Sequence, residues 1–183
     1  MKRLSKNKAA FLDRDGVINR AIIRKGRAYS PILLKDFKFL PKVAPAVKAL
    51  KAAGFKIILV TNQPDVGAGK QKLAVVKAMH RLVRSKLAPD DIEVCYHTQE
   101  QGCSCRKPKP GMLLQAAKKW RIDLKKSFMV GDRWRDVEAG KAAGCQTIWV
   151  KAGYKEKKAE NPDAVVSSLY EASRWILSRR NKK

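Results

Sequence analysis

The sequence lacks long hydrophobic runs. No apolar stretch approaches the roughly 20 residues needed to cross a bilayer, and the basic N-terminus has no apolar stretch long enough for a secretory signal. We therefore expect a cytoplasmic protein with no membrane partner. The 183 residues also contain no internal repeat and no low-complexity linker, which predicts one domain over 1–183, with a disordered basic tail at about 179–183.

Cysteine and histidine are scarce, with four and two residues respectively. In the cytoplasm, cysteines are more often thiols or metal ligands than disulfides. Three cysteines and one histidine are nevertheless concentrated in the eleven residues 95–105. The other histidine, His80, lies within an amphipathic stretch, and we expect it to be an ordinary satisfied or exposed helical residue.

Acidic residues are also few: 16 Asp and Glu stand against 41 Lys and Arg, a net charge of +25. One interpretation is a polyanionic partner, either nucleic acid or a phosphorylated substrate. The other is a lysine-rich solvated surface. The basic residues are spread over every segment, with only modest clusters at 155–158 and 179–183. Nucleic-acid binders concentrate charge on one face, so a nucleic-acid partner is possible but not favoured. Separately, we expect the protein to be a monomer.

Short apolar runs alternate with amphipathic segments along the whole chain. This alternation predicts an α/β fold with a central, mostly parallel sheet and helices on both faces. The predicted strands are 9–13, 55–61, 92–97, 127–132 and 146–150, and the predicted helices are 43–53, 72–88, 111–120, 135–144 and about 165–179.

Polar residues follow three of these strands at their carboxyl ends. Asp13 and Asp15, two positions apart, come at the end of the first strand, and Thr61 ends the second. Asp132 ends the fourth, and Asp136 lies one helical turn later. The carboxyl ends of parallel strands share one edge of a sheet, where α/β folds bind ligands. Carboxylates and a hydroxyl gathered there favour Mg²⁺ together with a phosphate.

Four motifs, "DRDGV", "TNQ", "RKPKPG" and "GDRWRD", occur in an order and spacing that resembles the haloacid dehalogenase-type (HAD) phosphatases. The resemblance covers nearly the whole chain. It is strongest to the cap-less branch that contains D,D-heptose 1,7-bisphosphate phosphatase and histidinol-phosphate phosphatase. It implies a three-layer Rossmann-like fold with no separate cap domain, and a Mg²⁺-dependent hydrolase of phosphomonoesters.

The resemblance also implies roles for individual residues. Asp13 corresponds to the nucleophile that forms an aspartyl-phosphate, and Asp15 to the general acid and base. Mg²⁺ would be held by Asp13, the backbone carbonyl of Asp15, and Asp132, while Thr61 and Lys107 would stabilise the transferring phosphoryl group. Further positions matching the motifs are a supporting carboxylate, Asp136, and the substrate-binding candidates Asn62, Gln63, Arg106 and Arg133.

The cysteine-rich segment has the pattern C-x-H…C-x-C. Its four candidate ligands, Cys95, His97, Cys103 and Cys105, would make a closed tetrahedral zinc site of the structural type. Since this is not the common finger spacing, a disulfide or a redox pair remains open on the pattern alone. The HAD resemblance favours Zn²⁺, which would hold the basic pair that follows at the phosphate-binding edge.

With no cap domain, loops at the same edge must select the substrate. The segment 19–31 carries the candidates Arg24 and Arg27, and it is either a solvated basic hairpin or a flap that binds a second phosphate. The resemblance implies a sugar bisphosphate, D-glycero-D-manno-heptose 1,7-bisphosphate, losing its 7-phosphate. Histidinol phosphate or another metabolite, and a 3′-phosphorylated nucleic-acid end, are the alternatives. Ala68 replaces an arginine expected after "TNQ", which leaves the substrate less defined than the reaction.

Overall fold

The computed structural model describes residues 6–179, and its centre is a six-stranded sheet in the order β5-β4-β1-β6-β7-β8. Every neighbouring pair in this sheet is parallel. Two further strands form a separate antiparallel hairpin. The strands are β1 (Lys8–Leu12), β2 (Ile22–Arg24), β3 (Arg27–Tyr29), β4 (Phe55–Asn62), β5 (Asp91–Cys95), β6 (Phe128–Gly131), β7 (Gln146–Val150) and β8 (Ala164–Val166).

Helices cover both faces of the sheet, as the alternation of elements predicts. Along β1, Ala10 and Leu12 pack into the hydrophobic core on one face of the sheet, while Ala9 and Phe11 pack into the core on the opposite face. This period of two is that of a strand buried on both sides. The helices are α1 (Val43–Ala52), α2 (Pro64–Gly67), α3 (Leu73–Leu87), α4 (Gly111–Trp120), α5 (Trp134–Ala143) and α6 (Leu169–Ser178).

Two predicted boundaries are wrong. The last helix begins at Leu169 and not near residue 165, because Ala164–Val166 pairs with β7 as a sixth strand and Ser168 caps the helix by accepting from the Glu171 backbone. The third strand ends at Cys95, so that His97 lies beyond the sheet. The predicted disorder of the tail concerns residues that lie, except for Arg179, outside the described part of the chain.

The segment 19–31 is a hairpin, β2–β3, that packs against the loop after β7. The Ala28 amide donates to Glu156 Oε1 at 3.0 Å, and the Lys155 amide donates to the Gly26 carbonyl at 2.8 Å. These bonds place the hairpin at the carboxyl edge of the sheet, above the candidate site. Between residues 6 and 179, none of the helices has the length and hydropathy to span a bilayer.

Candidate active site

The carboxyl ends of β1, β4 and β6 meet at one edge of the sheet and carry the predicted polar residues. Asp13, Asp15 and Thr61 line a cavity of about 260 Å³ there. Asp132 lies just beneath: carboxylate oxygens of Asp13, Asp132 and Asp136 all come within 4.8 Å of one another. The i, i+2 spacing thus brings the first two aspartates to the same side, as the extended path from β1 predicts.

Lys107 is the cation of this cluster. Its Nζ lies 2.8 Å from Asp13 Oδ1, 2.6 Å from Asp136 Oδ1 and 2.8 Å from the Val60 carbonyl, with 2 % of the residue exposed. Burial alone would lower the pKa of Lys107, but the two carboxylates outweigh it and raise the pKa to about 12. The lysine is therefore a fixed positive charge at the floor of the cavity.

Negative charge remains in excess at this floor. Within residues 6–179, neither carboxylate oxygen of Asp132 has a hydrogen-bond partner; the Tyr154 hydroxyl lies close by but outside hydrogen-bonding geometry. Burial and the charges of Asp13 and Asp136 raise the pKa of Asp132 well above its usual value. Three buried carboxylates thus share one buried ammonium. The donor set fits a divalent cation with oxygen ligands, which would balance the two remaining charges.

Two glycines allow the elements to approach this closely. At Gly131, the last residue of β6, a Cβ would lie 2.0 Å from the Asp136 Cβ. At Gly16, which has φ +91°, a Cβ would lie 1.9 Å from an Asp132 carboxylate oxygen. Any side chain at these positions would push the acidic residues apart, so both glycines are required by the geometry of the site.

The Asp15 carboxylate accepts hydrogen bonds from four different side chains. Its two oxygens accept from Arg14 at 3.1 and 2.9 Å, from Asn19 Nδ2 at 2.8 Å, from Ser30 Oγ at 2.7 Å and from Gln63 Nε2 at 2.9 Å. Burial alone would raise the pKa of Asp15, but the ion pair with Arg14 and the other hydrogen bonds outweigh it and lower the pKa. The orientation of this carboxylate is therefore fixed from several sides.

Two of the predicted substrate-binding residues make hydrogen bonds to other residues of the site. Gln63 is 1 % exposed and does not line the cavity; its amide donates to Asp15 and to Thr61 Oγ1. Asn62 does line the cavity, but its side-chain amide makes two bonds to the Lys107 backbone, at 3.0 and 3.1 Å. Both side chains thus organise neighbouring site residues. Their contacts depend on segments distant in the sequence, which a motif cannot reveal.

Arginines line the mouth of the cavity. Arg106 and Arg133, two of the predicted substrate-binding residues, lie there together with Arg135, which the sequence analysis does not single out although it lies inside "GDRWRD". Arg24 and Arg27, on the hairpin, are exposed and do not line this cavity. The hairpin segment instead contributes Ala28, Tyr29 and Ser30 to the wall of the cavity.

The cysteine-rich segment forms a second compact cluster. All four cysteines are free, and the donor atoms of the four predicted ligands lie within 4.8 Å of one another. Sulfur–sulfur distances are 2.9–3.6 Å, and His97 Nδ1 lies 3.3 Å from Cys105 Sγ. Two sulfurs bound at about 2.3 Å to a tetrahedral ion would lie about 3.8 Å apart. The soft donor set suits Zn²⁺, and the sulfurs would move apart by between a few tenths of an ångström and about 0.9 Å to bind it.

Comparison with known proteins agrees with this geometry. The family model for HAD-like hydrolases matches residues 104–172, from the cysteine-rich segment through α5 to the start of α6. In the solved structures, D,D-heptose 1,7-bisphosphate phosphatase from B. bronchiseptica, complexed with magnesium and phosphate, aligns with a TM-score of 0.82 at 29% identity, covering 94% of this chain and 99% of that one. Fold and site together define an HAD-type hydrolase.

Curated relatives narrow the class. D-glycero-beta-D-manno-heptose-1,7-bisphosphate 7-phosphatase of Helicobacter pylori is 38% identical over 143 residues, 75% of this chain and 79% of the relative. The enzyme of the same name from Haemophilus influenzae is 37% identical and covers 96% of this chain and 100% of its own length. The chain belongs to the HAD family that contains the D-glycero-D-manno-heptose-1,7-bisphosphate 7-phosphatases.

Proposed function

We propose that this protein is a Mg²⁺-dependent phosphatase that removes the 7-phosphate of D-glycero-D-manno-heptose 1,7-bisphosphate. The proposal rests mainly on one observation: Asp13, Asp132, Asp136 and Lys107 form a buried cluster at the carboxyl edge of the parallel sheet. The names of its relatives supply the substrate.

In this mechanism Asp13 is the nucleophile. One of its carboxylate oxygens attacks phosphorus, the bond from phosphorus to the sugar oxygen breaks, and an aspartyl-phosphate results. Lys107 Nζ, 2.8 Å from Asp13, and the Thr61 hydroxyl lie where charge develops on the equatorial phosphoryl oxygens. Asp136 fixes Lys107 by its ion pair and is itself held by the Arg133 amide at 2.9 Å.

Asp15 moves the protons. It donates one to the departing sugar oxygen and afterwards takes one from the water that attacks the aspartyl-phosphate, which releases phosphate and restores Asp13. The free site keeps Asp15 ionised through Arg14. A substrate dianion beside the carboxyl raises its pKa again, so that substrate binding itself favours the protonated form required for the first step.

Mg²⁺ would be held by Asp13, the Asp15 backbone carbonyl and Asp132. The two unpartnered oxygens of Asp132 and the excess negative charge are the features of this chain that support it. When bound, the ion would neutralise charge on the phosphoryl oxygens. The Gly16 turn, in which the chain passes against Asp132, keeps the Asp132 carboxylate directed toward Asp13.

Zn²⁺ would be held by Cys95, His97, Cys103 and Cys105 with no open position for water, so its role is structural. The next two residues after this cluster are Arg106 and Lys107, and no regular secondary structure supports the segment between β5 and α4. A metal there would fix the path of the chain into the catalytic lysine.

A bisphosphate substrate explains the arginines at the mouth. Arg106, Arg133 and Arg135 line the cavity, and burial together with the charges of Arg133 and Arg106 lowers the pKa of Arg135. A bound anion would reduce the electrostatic repulsion between these three guanidinium groups. The phosphate that is not hydrolysed supplies such an anion. For Arg24 and Arg27 the cavity offers no corresponding position.

Phosphate release from the purified full-length protein tests the proposal. With Mg²⁺, the heptose 1,7-bisphosphate should be hydrolysed with a kcat/KM at least about tenfold above that of the heptose 7-phosphate, histidinol phosphate or a 3′-phosphorylated oligonucleotide, since each lacks the second phosphate or the sugar. Asp13→Asn should be inactive on all of them. Hydrolysis of the oligonucleotide alone, or Mg²⁺-independent activity in Asp13→Asn, would contradict the proposal.

A further inference from the structure

Arg14, between the two aspartates of the first motif, is the largest side chain in the described chain that is completely buried. Placing a guanidinium in a protein interior destabilises the fold unless the group is paired. The proposed mechanism gives Arg14 no contact with substrate. Its burial therefore calls for an explanation in terms of its neighbours.

Within residues 6–179, all of the hydrogen-bonding contacts of the Arg14 guanidinium go to two residues. Nε and Nη2 form a fork on the two oxygens of Asp15, at 3.1 and 2.9 Å. The remaining nitrogen, Nη1, lies 3.2 Å from His80 Nε2, and the Phe37 ring flanks the guanidinium at 5.8 Å. The planar group is thus fixed at both ends, with a histidine behind it and a carboxylate in front.

His80 comes from the middle of α3, 66 positions away in the sequence. Burial and the adjacent Arg14 charge lower its pKa to about 4, so the imidazole is neutral. Since arginine only donates hydrogen bonds, Nε2 must be the acceptor, and the ring proton is on Nδ1. His80 therefore acts as a buried acceptor for Arg14, and not as a spare titratable group on a helix.

Arg14 and His80 together fix the plane of the Asp15 carboxylate, which the other hydrogen bonds to Asp15 do not. Asn19, Ser30 and Gln63 already donate to this carboxylate. The carboxylate would therefore still have hydrogen-bond partners without the arginine. Those three bonds come from single donors, whereas a bidentate fork fixes the plane of the carboxylate. A general acid must hold this plane to within a small angle for proton transfer to the leaving oxygen.

We propose that His80 and Arg14 are positioning residues for Asp15: the His80 acceptor fixes the Arg14 guanidinium, whose fork sets the direction of the Asp15 proton. The inference rests on the proposed role of Asp15 as the general acid. The alternative is a buried ion pair that contributes only to the stability of the fold.

If Arg14 and His80 position Asp15, their loss should affect activity more for a poor leaving group than for a good one. If they contribute only to stability, the leaving group should make no difference. Protonation matters for an alkyl phosphate, whose alkoxide is a poor leaving group, and little for p-nitrophenyl phosphate, whose nitrophenolate leaves unprotonated. The measurement is kcat/KM for both substrates, since this ratio reports transition-state stabilisation. It is made with full-length protein carrying Mg²⁺ and Zn²⁺.

His80→Leu removes the acceptor, and His80→Gln restores one near the position of Nε2. For His80→Leu we expect kcat/KM on the heptose bisphosphate to fall at least about tenfold, within the range of general acid catalysis, and to change less than about threefold on p-nitrophenyl phosphate. His80→Gln should recover most of the loss. Val83→Ala, a cavity in the same helix at a fully buried position, should lower the melting temperature without changing the ratio between the substrates.

Arg14→Lys, which keeps the charge but not the fork, should reproduce the selective loss of His80→Leu. Equal losses on both substrates, a ratio that also changes in Val83→Ala, or a His80→Gln as impaired as His80→Leu, would overturn the inference. A wild-type protein with no activity on either substrate would instead contradict the proposed phosphatase function. Wild-type activity together with an unaffected His80→Leu would refute the positioning role alone.

Discussion

The two candidate metal sites of this protein are built in opposite ways. The carboxylate site lies at the ends of buried strands, and Asp13 and Asp132 are 7 % and 3 % exposed. In the cysteine–histidine cluster, Cys95 is the last residue of β5, but the other three ligands lie on the following segment without regular secondary structure, and His97 is exposed. The strands of the sheet set the shape of the first site, whereas in the second they carry only Cys95, and the other three ligands depend on the path of a loop.

This difference implies that a metal ion has a different effect at each site. At the carboxylate site the geometry already exists, and what is in excess is negative charge, so an ion there contributes charge balance and chemistry. At the cysteine–histidine cluster an ion contributes cross-links between chain positions, which is folding free energy. Disrupting the carboxylate site should therefore lower mainly the activity, whereas disrupting the cysteine–histidine cluster should also lower the stability of the fold.

The largest expected effect is that of Asp132→Asn. We expect kcat/KM for phosphate release to fall on the order of 10³-fold, because several kcal/mol of metal-dependent transition-state stabilisation are lost. We expect the melting temperature of the metal-free protein not to fall, because an amide of the same size removes repulsion with Asp13 and Asp136. Thermal unfolding with and without Mg²⁺ should show that the Mg²⁺-dependent rise of the wild type is absent. A large loss of stability without metal would show that the acidic cluster is structural.

A smaller loss of activity, with a clear loss of stability, is expected at the cysteine–histidine cluster. Cys105→Ser, or removal of Zn²⁺ by a chelator followed by excess Mg²⁺, should lower the melting temperature by about 5 °C or more. It should lower kcat about tenfold or more by loosening Lys107, and Mg²⁺ should not restore it. The matched control is Cys145→Ala, a buried cysteine outside the cluster, which should keep its Zn²⁺ and its activity. Full activity of a zinc-free, folded protein would show that the cluster is dispensable.

The sequence predicts the backbone of the fold and the acidic cluster well, for a physical reason. Strand and helix periodicity is local, and the carboxyl ends of parallel strands necessarily share an edge. Asp13 and Thr61 therefore reach the same cavity without any knowledge of side-chain contacts. The short strand Ala164–Val166 was missed because three residues give too little periodicity to distinguish a strand from the first turn of the following helix.

Side-chain partners within the site could not be predicted in the same way. Gln63 and Asn62 lie in a motif next to the phosphate position, but their amides bond Asp15 and the Lys107 backbone. The partner of Arg14 is a histidine 66 residues away. Such pairs depend on how separate helices and loops meet, and a single sequence carries no signal for them beyond an unexplained polar residue.

The smallest expected effect lies where the two sites are joined. Asn62, at the end of the rigid strand β4, makes two hydrogen bonds to the backbone of Lys107 on the cysteine-rich segment. Asn62→Ala should cost about 1–3 kcal/mol of interaction energy and lower kcat by about three- to tenfold with little change in KM, since the lysine loses a fixed position but not its charge. Steady-state kinetics with Mg²⁺ and Zn²⁺ present measures this. Asn7→Ala, which removes a bond to the Trp120 carbonyl at the opposite edge of the sheet, should leave kcat unchanged. A normal kcat in Asn62→Ala would mean that the metal cluster alone positions Lys107, and an Asn62→Ala loss as large as that of Cys105→Ser would mean that the strand, and not the cluster, holds it.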